Sequence, residues 1–385
     1  MVEVRSLLAA NHLGLDSQVE AFVVCRRDGR IVACAGLDHN VIKCVAVADE
    51  FRGESLSLRL GSETVKLAAE CGQFHLFLYS PPHNLPFFRG WGFYPLVEVP
   101  QLVVLMENSP IAIQAYCDRL RQQRRPGRKI GGIVLNANPF TLGHQYLVER
   151  AAHVCDWLHV FVVREDASLF SYADRFRLVE AGVKHLERVS LHPGSEYIIS
   201  RATFPGYFLK DQALVDHSWA AIDLLLFREY IAPALGISHR YVGTEPLDTV
   251  TEKYNADMKH WLQYAASSAA SVTVIEIPRA SVRDVPISAS QVRRLLARGS
   301  SPPCRTWSPH RLCNFLSGHF PHPATSLRRP KDNENRQGSY FRHSGIRRRA
   351  GQGCSKRKRH ARYRAQERGN QAIRQADQAC RRRHA

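Results

Sequence analysis

Thr141, Gly143 and His144 form a T-x-G-H run just after the apolar stretch from Gly132 to Leu135. Between the two, Asn138-Pro139 marks a tight turn. A strand, a turn and a helix start in that order aim backbone N–H groups and the positive end of a helix at one spot, which suits an anion. Gly143 lets a ligand approach the backbone closely, and His144 can turn its ring to the same anion. About 140 residues later, Ile287, Ser288, Ser290 and Arg293 open a second helix with the spacing I-S-x-S-x-x-R. Ser288 is a good N-cap, and on a structural reading that is its whole role. On a functional reading Ser288, Ser290 and the helix N-terminus hold a second phosphate, and Arg293 adds a fixed, fork-shaped charge. Together these residues could hold a polyphosphate and stabilise charge developing at phosphorus.

The elements that must position them follow from periodicity. Across residues 129–299, apolar strand patterns are predicted at 129–135, 158–164, 197–200, 240–243 and 272–277. They alternate with helical patterns at 143–154, 172–185, 218–235 and 250–265. Such alternation predicts a mostly parallel sheet with helices on both faces and a ligand at the carboxyl ends of the strands, where strand order reverses. Residues 1–125 read as a smaller α/β unit. Its strands are predicted at 21–25, 31–35, 41–47, 74–79 and 97–106, with helices at 55–71 and 111–125. Arg124-Arg125-Pro126-Gly127 reads as the linker.

Charge is distributed unevenly. The chain carries +18, but residues 301–385 hold 21 Lys and Arg against 4 Asp and Glu, leaving 32 against 31 in the body. A neutral body argues against nucleic-acid binding as the main function. Ten scattered cysteines without C-x-x-C pairs, no apolar run of membrane length and no signal-like start imply a cytoplasmic protein with no membrane partner.

The ordered pair of motifs resembles the nucleotidyltransferase superfamily. The form of the first motif, Asn136 to Ala152, is similar to that of the citrate lyase ligases. So are the stretches 163–166, 172–175, 199–205, 207–210, 242–246, 251–255 and 276–279. The resemblance covers residues 1–299. It implies a Rossmann-like adenylation domain at 129–299, with Asn138, Pro139, Phe140, Gly143, Ser288 and Ser290 at ATP and His144, Arg293 and Thr141 as the catalytic group. Arg175, Arg201 and Lys210 rank second and read as surface charges. The resemblance further implies an acetyltransferase-like domain at 1–125, in which Arg52 and Gly53 stand where a coenzyme A pyrophosphate turn would be. Ser55 replaces a usual glycine there, so activity of that domain is not expected. Acetate, ATP, Mg²⁺ and the acyl carrier subunit of citrate lyase are the implied substrates and partners. Acetyl-AMP is the implied intermediate, and its acetyl group passes to the carrier thiol. An adenylyltransferase acting on a phosphopantetheine or nucleotide substrate would use the same motifs.

Residues 300–385 show no sustained period, and 18 of their 21 basic residues are Arg. Cys, Trp and Phe are scattered among them. This composition predicts a basic disordered tail, and the reading favoured here is a shifted reading frame past residue 299.

Overall fold

The structure is a computed structural model. It describes residues 1–52, 55–164, 168–199, 204, 207–208, 212–244, 249–282, 285–298 and 341–343. Met1–His343 form one compact unit and Ser344–Ala385 a second, which lies outside the described residues.

The N-terminal part runs α1 (Val2–Ala10), β1 (Ala21–Arg27), β2 (Arg30–Asp38), β3 (Val41–Val47), α2 (Leu56–Glu70), β4 (Phe77–Ser80), α3 (Leu85–Gly90), β5 (Tyr94–Val99), β6 (Val103–Glu107) and α4 (Ala112–Arg121). The sheet order is β1-β2-β3-β4-β6-β5, with only β3 and β4 parallel within that set. The expected single strand at 97–106 is two strands, because Gln101 takes a left-handed φ of 65° and turns the chain back on itself. Helices α1 and α3 were not anticipated. Helix α1 buries only Val4, Leu7 and Leu8, a stripe too short for its period to stand out.

The second part runs β7 (Ile130–Leu135), α5 (Leu142–Val154), β8 (Trp157–Val162), α6 (Tyr172–Val183) and β9 (Val189–Pro193). Then come α7 (Gln212–Leu226), a π-helical turn, α8 (Ala232–Leu235), β10 (His239–Gly243), α9 (Thr249–Lys259), a second π turn and β11 (Thr273–Ile277). A short hairpin of β12 (Ser281–Val282) and β13 (Val285–Pro286) leads to α10 (Ala289–Ala297). The sheet order β11-β10-β7-β8-β9 is parallel throughout, as the alternation predicted. The third strand is Val189–Pro193 rather than 197–200. Tyr197, Ile198 and Ile199 are buried, but in a loop packed on the N-terminal part, so their apolar run marks burial and not pairing.

Strand order reverses at β7, with β8 and β9 on one side and β10 and β11 on the other. A crevice therefore opens at the carboxyl ends of β7 and β10. One apolar cluster joins both parts: Tyr79, Val97 and Tyr116 pack with Tyr197, Leu225 and Phe227. Polar contacts reinforce this seam. Tyr230 donates to the Leu96 carbonyl at 2.9 Å, and the buried Glu107 accepts from Tyr197 at 2.7 Å and pairs with His75 at 2.6 Å. Burial pulls the His75 pKa down, but its bonds to Glu107 and Glu196 outweigh that and hold it up at about 9.

The disordered-tail expectation falls mostly outside the described residues. Within them, β14 (Phe341–His343) lies parallel to β1 at the sheet edge. Among the described residues no helix is long and apolar enough to cross a membrane.

Candidate functional site

The turn after β7 holds a cis Asn138-Pro139 bond. Asn138 Oδ1 accepts the Phe170 N–H at 3.2 Å, which ties the turn to the start of α6. Phe140 is fully buried, and a Cβ at Gly182 would lie 2.2 Å from its ring, so only glycine leaves room for it. The Phe140 ring stacks on His144 at 5.8 Å between centroids. Thr141 is the N-cap of α5 in a capping box with His144. Its N–H donates to His144 Nδ1 at 3.0 Å, with its Oγ1 2.9 Å from the same nitrogen.

That bond fixes the chemistry of His144. With Nδ1 accepting, the neutral ring carries its proton on Nε2. Burial first, then the charges of Arg279 and Arg293, lower the pKa to about 4. His144 is therefore a neutral Nε2–H donor near pH 7, not the cation that a role as a charge stabiliser would suggest.

The two motifs meet in space. Arg293 donates through Nη1 to the Asn138 carbonyl and through Nη2 to Ser290 Oγ at 2.9 Å. A Cβ on Gly143 would sit 3.3 Å from the Ile287 carbonyl, so the start of α5 touches the strand-like lead into α10. Ser288 caps α10 by accepting the Ser290 N–H at 3.2 Å. The N-termini of two helices thus converge on one crevice, each adding partial positive charge.

The crevice encloses about 650 Å³. Of the residues singled out from sequence, Thr141, Gly143, His144, Ser288 and Ser290 line it. Asn138, Pro139, Phe140 and Arg293 are not among its lining residues. Arg175 is not a surface charge: it is fully buried and donates through Nη1 to the Asn136 and Val163 carbonyls at 2.7 and 2.9 Å, joining the ends of β7 and β8. Arg201 and Lys210 lie outside the described residues.

Sequence reasoning missed Arg240, Tyr254, Asn255, Arg279 and Arg294, all of which line the crevice. They come from β10, α9, the loop after β11 and α10. Tyr254, Asn255 and Arg279 fell within stretches quoted only for their resemblance. Arg240 has no local signal, because a single Arg in a strand pattern reads as an edge residue.

In the N-terminal part, Arg52 pairs with Asp49 at 2.8 Å and bonds Asn11 Oδ1 at 2.8 Å. Gly53 lies outside the described residues. The hollow of about 510 Å³ beside this turn is lined by Glu3, Asp49 and Glu50 against Arg30, a charge balance that does not favour a pyrophosphate.

Residues 130–316 match the family model described as the citrate lyase ligase C-terminal domain. The match runs past residue 299, so family-like sequence continues further than the sequence reading placed it. The chain is 46% identical over 322 residues to the [citrate [pro-3S]-lyase] ligase of Escherichia coli, which covers 84% of this chain and 92% of that one. It is 51% identical over 288 residues to the enzyme of that name from Klebsiella pneumoniae, covering 75% and 84%. Among solved structures, a bifunctional NMN adenylyltransferase/ADP ribose pyrophosphatase from Francisella tularensis is similar at 13% identity and a TM-score of 0.33, over 50% of each chain. With nearly half of its residues shared along most of its length, the chain belongs to the citrate lyase ligase family.

Proposed function

We propose that the chain activates citrate lyase in the cytoplasm by acetylating the prosthetic-group thiol of its acyl carrier subunit at the expense of ATP. An acetate oxygen attacks the α-phosphorus, forming an O–P bond while the bond to pyrophosphate breaks. The carrier thiol then adds its sulfur to the acetyl carbonyl and gives up its proton, and AMP leaves. The observation that carries this reading is the convergence of two helix N-termini and the His144 Nε2–H on one crevice.

Bringing a carboxylate to a triphosphate sets anion against anion, so most of the catalysis must come from positioned donors and positive charge. The α5 N-terminus and His144 suit the α-phosphate. Ser288, Ser290 and the α10 N-terminus suit the leaving pyrophosphate, with Arg279 and Arg294 beside them. Arg293 acts through Asn138 and Ser290, holding both turns in register. Thr141 fixes the His144 tautomer. Mg²⁺ would supply charge neutralisation on the phosphates. Among the described residues that line the crevice there is no Asp or Glu, so the ion fits as part of the nucleotide, held by phosphate oxygens and water.

The test is ATP–pyrophosphate exchange with and without acetate. Exchange that depends on acetate supports the reading. Exchange that needs phosphopantetheine and ignores acetate supports the adenylyltransferase alternative.

A further inference from the structure

Arg240 lies on the floor of the crevice in an unusual state. It is 3% exposed, and among the described residues its Nε and Nη1 meet no hydrogen-bond partner. One face is covered by the Phe227 ring, 4.4 Å from Cζ. Asp223, whose carboxyl group acts on Arg240, is committed elsewhere: it accepts the Ile199 N–H at 3.0 Å and the Tyr254 hydroxyl at 2.7 Å. Burial lowers the Arg240 pKa and raises that of Asp223, so neither charge is well compensated. A buried guanidinium with unfilled donors is costly and calls for an anionic acceptor.

Resting on the function proposed above, we infer that Arg240 binds the carboxylate of the small organic acid that attacks ATP, and that Val134 and Met258 face its methyl group. Two features favour a short carboxylate over a phosphate at this floor. First, the groups suited to several phosphate charges lie at the rim: the two helix N-termini, Arg279 and Arg294. The floor adds one cation to apolar walls, Val134 and Met258, with Asn255 beside them. Secondly, displacement at phosphorus runs in line, so the acid must approach from the side opposite the departing pyrophosphate. With the pyrophosphate held at the rim, that side is the floor. Asn255 supports the site by donating to the Gly243 carbonyl at 3.1 Å, which fixes the end of β10.

The experiment measures ATP–pyrophosphate exchange against acetate and ATP separately, for the full chain and for Arg240→Lys, Arg240→Met and Met258→Ala. Loss of a charge-assisted contact raises the acetate KM by about tenfold or more, with the ATP KM held within about twofold. Lys restores part of the acetate affinity and Met none. Met258→Ala makes room for one more methylene and shifts preference from acetate toward propionate by about tenfold. A folded Arg240→Met with the parental acetate KM overturns the inference, and so does a joint rise of both KM values with a lowered thermal midpoint, the mark of a packing role. If the Arg240 variants do not fold, Met258→Ala decides, because an unchanged propionate preference places the acid elsewhere. A parental chain without acetate-dependent exchange refutes the proposed function itself and is told apart by that control.

Discussion

On the proposed function His144 has two separable jobs, and a pair of substitutions separates them. Its Nδ1 accepts the Thr141 N–H at 3.0 Å and so closes the capping box of α5. Its Nε2–H is the donor left for substrate. His144→Ala removes both functions. His144→Asn removes the substrate donor, while its shorter side chain keeps an oxygen that can accept the Thr141 N–H at the same helix position. A lost cap costs about 1 kcal/mol, and a lost transition-state donor about 2.7–4 kcal/mol, or about 10²–10³ in rate. The expected result is a drop of that size in acetate-dependent exchange for both variants, with a lowered thermal midpoint only for Ala. The pH profile gives a second readout. His144 has a pKa of about 4, lowered from 6.5. The unfolded chain therefore binds more protons between those values, and the His144 contribution to stability is lost as pH falls from 6.5 through 4. In the same range the acid form would put an N–H against the Thr141 N–H and open the cap. Exchange should thus show no His144-dependent limb above pH 6.5. A folded His144→Asn with near-parental exchange refutes this reasoning. So does an activity limb at neutral pH that the variant abolishes, since that would make the imidazolium the active form.

Other consequences can be measured in the same way. Arg293→Lys keeps the charge but cannot span from the Asn138 carbonyl to Ser290 Oγ, so turnover should fall by about tenfold or more as the two turns lose register; unchanged ATP affinity and turnover would make Arg293 an incidental surface contact. Arg175→Met leaves the Asn136 and Val163 carbonyls without their shared donor and should cost about 3 kcal/mol or more in denaturant unfolding. The His75–Glu107 pair should make stability alkali-sensitive: with a folded pKa of about 9 against 6.5 unfolded, its contribution is whole below 6.5 and lost as pH rises through 9. Glu107→Gln should shrink that alkaline loss to the share that Glu196 supplies and lower the midpoint at neutral pH, as seen by thermal melts across pH. For the tail, re-reading the coding DNA in the other frames should restore a family-like ending past residue 316, where the family match stops; if no frame does, salt-dependent DNA binding becomes the measurement to make.

What the sequence revealed and what it hid have a common physical origin. The parallel sheet was legible because β7 and β8 are nearly continuous apolar runs, and strand patterns alternate with helical ones down to β11, an order that implies two-faced burial. These crevice-lining residues were legible because helix N-termini are local: Thr141, His144, Ser288 and Ser290 are each set by the few residues around them. The opposite holds for Arg240. Its meaning depends on Phe227 from the π-helical turn after α7, on Tyr254 from α9 and on Asp223 of α7 being already bonded, facts that only folding brings to Arg240. His144 lies between the two cases. Its position was readable, yet its charge was not, because burial in the folded site, and then Arg279 and Arg293 from more than a hundred residues away, lower its pKa. In a site proposed to bring two anions together, such remote cations have a double effect. On the proposed function they attract the phosphates, and together with burial they keep the imidazole neutral, so that the positive charge stays on the arginines and the His144 ring remains a directed hydrogen-bond donor.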